Sequence, residues 1–80
     1  MNGSRGFELD MGNAPIIEMI ANRRVTVEGS AGILRYESDN IKINTNQMIL
    51  SFCGRGLRVR CITASCVEVE GFISQINFIC

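Results

Sequence analysis

Glu68 and Glu70 stand two residues apart in Val67-Glu68-Val69-Glu70, so a strand carrying them sends both carboxylates from one face, as a general acid–base pair would require. Arg23-Arg24 and the group Arg55, Arg58 and Arg60 supply cations suited to phosphate, and Cys53, Cys61, Cys66 and Cys80 add four thiols. Each set has a plainer reading. The chain has no histidine, the commonest general base, and no Ser or Cys in a GxSxG context. If Arg58 faces Glu70 and Arg60 faces Glu68 across a hairpin, the four form a solvated charge ladder. The thiols have no CxxC spacing and no histidine companion, so free, partly buried cysteines are expected rather than a metal site or disulfides. Gly54 and Gly56 around Arg55 read as turn residues rather than a phosphate cradle. No catalytic residue, cofactor or metal is expected, and the chain reads as a non-enzyme.

The elements that must position these side chains are strands. Apolar-x-apolar-x-Gly occurs three times, at Val25 to Gly29, Leu50 to Gly54 and Val67 to Gly71, each copy a half-buried strand closed by glycine. Turn signals recur at Asn22-Arg23, Ser30-Ala31, Asp39-Asn40, Asn46-Gln47, Arg55-Gly56 and Thr63 to Ser65, which leaves no room for an ordinary helix. Antiparallel pairing across these turns predicts a register. Ile17 and Met19 meet Val27 and Val25, which in turn meet Leu34 and Tyr36. Tyr36 meets Ile43 and Glu37 meets Lys42, while Ile43 meets Leu50 and Ile41 meets Phe52. A turn at Arg55-Gly56 sets Phe52 against Val59 and Leu50 against Cys61, and the next loop sets Val59 against Val69, Arg60 against Glu68 and Arg58 against Glu70. This register sends Cys61 and Cys66 to opposite faces. A β-bulge between Ile73 and Ile76 would turn Ile73, Ile76 and Phe78 inward.

The expected fold is therefore all-β, an antiparallel meander of seven to eight short strands curled into a barrel, roll or small sandwich. Its inner face comprises Val25, Val27, Tyr36, Ile41, Ile43, Leu50, Phe52, Leu57, Val59, Val67, Val69, Ile76 and Phe78, and such a face must be covered. On the outer face Ile49, Ile62 and Cys66 are apolar where alternation calls for polar residues, and the register makes them neighbours. They form a candidate interaction patch, open to a partner or covered by Phe7 and Leu9 of the same chain.

Eighty residues make one domain with a small interior. Residues 1–14 read as a flexible lead-in and 15–80 as the β domain. Eight Lys and Arg balance eight Asp and Glu, and the aromatics are few, so no nucleic acid is expected as a partner. No secretory signal is recognised and no apolar run nears the roughly 20 residues that span a bilayer, so direct membrane insertion is not expected and a cytoplasmic protein is.

From Ile17 to Phe78 the sequence resembles the YabP/YqfC family of sporulation proteins, more closely the YqfC branch. The matching residues are Ile20-Ala21-Asn22-Arg23-Arg24-Val25-Thr26-Val27-Glu28, Gly32-Ile33, Tyr36, Ile41 and Ile43. They continue with Leu50-x-Phe52-x-Gly54-x-x-Leu57-x-Val59 and Val67-x-Val69-x-Gly71-x-Ile73-x-x-Ile76-x-Phe78. The resemblance implies a sporulation protein of the mother cell, peripheral at the forespore envelope, acting by protein–protein contacts. Its implied partner is a membrane-anchored sporulation protein of the YqfD type, and the apolar patch adds further copies of the chain, as a homo-oligomer, to the expected partners. A coat or envelope component assembling by strand addition is the alternative, and a small-ligand or lipid-binding barrel a further one.

Overall fold

The computed structural model describes residues 14–80, so the expected lead-in, with Phe7 and Leu9, lies outside the described residues apart from Ala14. Alternating apolar and polar residues give six strands: β1 (Ile16–Ile20), β2 (Arg24–Glu28), β3 (Ser30–Glu37), β4 (Asn40–Thr45), β5 (Ile49–Ile62) and β6 (Cys66–Ile79). All pair antiparallel in one open sheet of order β1-β2-β6-β5-β4-β3. The all-β class matches the sequence expectation. The strand count is lower because β5 and β6 each run for 14 residues.

The expected turn at Arg55-Gly56 does not exist. β5 passes through it, so Phe52 pairs with Ile76 and Leu50 with Phe78, not with Val59 and Cys61. The long pairing gives β6 a partner along its whole length, whereas a turn would have left its second half without one. Gly56 takes a positive φ of 61° where the register slips between Arg55 and Arg58, so it serves a bulge rather than a hairpin.

Two further registers differ. The β3–β4 turn is Ser38-Asp39, which sets Tyr36 against Ile41 and Glu37 against Asn40. Asn40 is thereby held inside β4, where its side-chain amide donates to Ser51 Oγ at 3.0 Å and to the Phe52 carbonyl at 3.1 Å. Tyr36 consequently lies at the rim, 54% exposed, rather than in the core. β2 pairs with β6 instead of β3, placing Val25 beside Val69 and Val27 beside Val67. The pairs of Ile17 with Val27, Met19 with Val25, Ile43 with Leu50, Ile41 with Phe52, Val59 with Val69 and Arg58 with Glu70 form as the alternation predicts. The bulge before Ile76 falls at Ser74 and buries Ile73.

The sheet cannot be flat. Gly29 alone separates β2 from β3, yet the two strands stand on opposite sides of the central β6–β5 pair. Ser30 donates its backbone N–H to Ser65 in the loop joining β5 to β6, and it also pairs with Thr45, close to the opposite end of β5. A straight 14-residue strand would hold those two ends about 40 Å apart. The β5–β6 hairpin is therefore doubled back on itself, folding β1, β2 and the loop end of the hairpin over β3, β4 and its open end. At the fold the hairpin tips clamp the long strands: Leu57 and Gly54 donate to Ser38 and Asp39 carbonyls, while Gly71 and Ile73 donate to those of Arg23 and Asn22.

Between the two layers lies one apolar core of Val25, Val27, Ile41, Ile43, Leu50, Phe52, Leu57, Val67, Val69 and Ile73, with Ile17, Ile33, Met48, Val59 and Ile76 packed at its margin. Phe78, expected inside, is 59% exposed because its strand has no neighbour on the far side at that point among the described residues.

Candidate functional site

Adjacent strands bring the charged residues into one network on the outer face of β2, β6 and β5. Arg24 lies opposite Glu70 on β6, with Glu68 two residues further along the same face. Its guanidinium reaches Glu68 at 3.4 Å and Glu70 at 3.3 Å. From the other side Arg58 meets Glu70 at 3.2 Å, and Arg60 meets Glu70 at 3.4 Å and Glu68 at 3.9 Å. Arg24 is the member the sequence reading missed, since only the β2–β6 pairing brings it here. Hydrogen bonding from Arg24, helped by Arg58 and Arg60 and opposed by partial desolvation, holds the Glu70 carboxyl below its ordinary range.

Beside the network, Ile20, Arg23, Arg24, Gly56, Arg58, Glu70 and Gly71 line an open cleft of about 470 Å³. Gly71 must be glycine there, since its φ is 142° and a Cβ would stand 2.6 Å from the Gly56 carbonyl oxygen. Arg24, Arg58 and Arg60 together stabilise Glu70 as a carboxylate. That is the opposite of what a proton-donating acid requires.

The candidate patch of Ile49, Ile62 and Cys66 is not assembled. Ile49 pairs with Asn44 and Ile79 at one end of β5, while Ile62 pairs with Val67 at the other. Arg60 is an extra residue in β5, so pairing slips between Val59 and Cys61 and every later side chain changes face. Ile62 thus stands at the rim of the inner face, 61% exposed. The same slip places Cys61 opposite Glu68, on the face that also carries Cys66, which corrects the expectation that the two thiols diverge. All four cysteines are free, and no group of three or more metal-ligating side chains occurs among the described residues. Desolvation, then the Glu28 carboxylate paired opposite, pushes the Cys66 thiol up.

What the sheet does present is strand edge with few partners, although the Val59 N–H on β5 donates to the Tyr36 hydroxyl at 2.9 Å. β1 and β3 are its outer strands, and the doubled hairpin adds two more edges, Arg58–Ile62 of β5 and Ser74–Ile79 of β6, that have no strand beside them among the described residues. Apolar side chains sit exposed along these edges, among them Ile20, Leu34, Tyr36, Ile62, Phe78 and Ile79.

A rolled antiparallel sheet with a full core, a saturated charge network and open edges defines a small all-β domain whose distinctive surface is strand edge. The chain belongs to the YabP family, whose model matches residues 12–80 and so spans all six strands. Membership points to a sporulation-related protein. No curated protein matches the chain. No helix among the described residues is long and apolar enough to cross a membrane.

Proposed function

We propose that this chain is a non-enzymatic sporulation protein of the mother cell that acts through protein–protein contacts, as a homo-oligomer or as an adaptor to a membrane-anchored sporulation protein of the YqfD type. Its place would be the cytoplasm, peripheral to the forespore envelope. The observation that carries the reading is the run of unpaired, partly apolar strand edges on a domain whose two paired glutamates are both committed to arginines. Such edges bind other chains by strand addition. The same edges support the second reading, a coat or envelope component that polymerises. A ligand-binding barrel has less support, because Phe52, Ile41, Ile43 and Leu50 fill the interior.

The test is complementation of a deletion strain in the sporulating host, combined with crosslinking to a tagged YqfD-type protein. Glu68→Gln with Glu70→Gln should restore spore formation and crosslinking to wild-type levels. Loss of sporulation in that variant, if it is folded and still crosslinks, would favour chemistry at the carboxylates and overturn the contact reading.

A further inference from the structure

We infer that the Ser74–Ile79 edge of β6 is a self-association edge, where a second copy of this chain adds its own β6 antiparallel about a two-fold axis. The inference rests on the contact reading above and names one partner for it. Soluble β proteins guard free edges with charge, proline or bulges. Among the described residues there are four such edges, and three of them are guarded. β1 has Glu18 at its centre, β5 carries Arg58 and Arg60, and β3 carries Arg35 and Glu37 and two register slips. The fourth has only the bulge at Ser74 at its start: from Gly71 to Cys80 the sequence Gly-Phe-Ile-Ser-Gln-Ile-Asn-Phe-Ile-Cys has no charged residue and no proline, and the pairing with β5 from Gln75 to Ile79 is regular.

Symmetry selects the occupant. Two-fold antiparallel pairing sets each residue near the axis against itself or a close neighbour, so a strand with one sign of charge at its centre opposes itself. Glu18 would meet Glu18 in a β1 pair, and arginine would meet arginine in a β5 pair. β6 meets no such penalty, since Gln75 and Asn77 occupy the outer face as neutral amides, 3.1 Å apart in one chain and able to bond across a pair. On the inner face Ile33, Ile43, Leu50 and Phe78 form one cross-strand row that ends at the exposed Phe78. A second copy paired with Asn77 at the axis would continue that row through its own Ile76, set Asn77 against Asn77, and give each edge its missing hydrogen bonds.

Sedimentation of the full chain under reducing conditions, which keep the exposed Cys61 and Cys80 from crosslinking, tests this. Wild type should show a concentration-dependent dimer. Gln75→Lys with Asn77→Lys, and separately Gln75→Glu with Asn77→Glu, should each raise the dissociation constant at least tenfold, and mixing the two folded variants should restore a heterodimer. Among the amides of 74–79, those that point away from β5 should be protected from hydrogen exchange in wild type and exposed in either variant alone. A wild-type monomer, variants that dimerise undiminished, variants that fail to rescue each other, or protection persisting in monomeric variants would each overturn the inference. The last result would mean that the chain covers its own edge. Complementation by such variants would leave the contact reading standing while the self-association edge fell.

Discussion

Gly54→Ala is the sharpest test of how the long hairpin is built. In a reading with a turn at Arg55-Gly56, residue 54 would be an ordinary flanking position and Gly56 the one that must be glycine. The structure reverses the order. A Cβ on Gly54 would press into the peptide of Phe72 on β6, 2.9 Å from its carbonyl carbon, and 3.1 Å from Ile73 Cα, both backbone atoms that cannot swing aside. The Phe72 carbonyl oxygen is closer still, far inside contact distance, so the backbone itself would have to move. Ile73 is buried and its N–H is fixed to the Asn22 carbonyl at 2.8 Å, so β6 cannot retreat without straining the clamp at the fold. Overpacking of this kind costs about 1–3 kcal/mol, and weakening one or two ladder bonds adds about 0.5–1.5 kcal/mol each. The sum, about 1.5–6 kcal/mol, is comparable with the roughly 4–12 kcal/mol that a chain of this length holds in total. Gly56 has nothing within 4 Å of its missing Cβ, so Gly56→Ala meets only the left-handed backbone and should cost about 1–2 kcal/mol. Urea unfolding followed by circular dichroism measures both. A Gly54→Ala protein that unfolds within about 1 kcal/mol of wild type, or one more stable than Gly56→Ala, would refute the continuous β5 strand.

Phe52 is fully buried between Ile41 and Ile76, so Phe52→Ala should lower stability by about 3–5 kcal/mol in the same urea assay. Reversing Glu68 and Glu70 to arginine should lower the melting temperature at low salt and less at high salt. Restoring the network takes reversal of Arg24 as well as Arg58 and Arg60, and a four-residue swap that leaves Arg24 unchanged should rescue only in part. Because the folded-state pKa of Glu70 is depressed, its contribution is present above the ordinary value of 4.5 and lost as pH falls through the lower folded value. Glu70→Gln should therefore flatten the acid limb of a stability–pH curve. Cys66, whose thiol is pushed up by desolvation and by Glu28, should alkylate more slowly than free cysteine at pH 8, and Glu28→Gln should speed it.

What the sequence revealed was local pairing. Ile17 and Met19 find Val27 and Val25, and Ile43 and Ile41 find Leu50 and Phe52, because a short turn and a shared apolar face leave one workable register. Ser38-Asp39-Asn40 contains three good turn residues, so composition could not choose between two turns one residue apart. The choice was made by Asn40's amide, whose partners Ser51 and Phe52 lie on the next strand. Gly54-Arg55-Gly56 misleads for a related reason. Glycine marks both a turn and a close approach of two backbones, and only the position of β6 shows which one is present. The β2–β6 pairing is long-range and carries no local mark, so Arg24 was invisible as a member of the network. The single extra residue at Arg60 was equally silent, and it moved Ile62 and Cys61 to the faces opposite those that strict alternation assigns.

The doubled hairpin also explains why charge is distributed as it is. Folding one long pair of strands back over itself exposes two separate stretches of edge, one from β5 near the loop and one from β6 near its end. On the first, Arg58 and Arg60 extend toward Glu68 and Glu70, so the groups that hold the outer face together also repel an approaching copy of the same edge. On the second the partner strand β5 contributes Ser51 and Cys53, neither of which needs a counter-charge, and β6 answers with Asn77 and Gln75. One edge is thus protected as a consequence of its own internal pairing, while the other has no internal reason to be charged. Adding charge at the exposed Gln75 would cost the monomer little, and at the half-buried Asn77 mainly the bond it accepts from Gln75, since both lie outside the core. The neutrality of this edge is therefore not demanded by folding, and the strand addition proposed above would give it a physical reason.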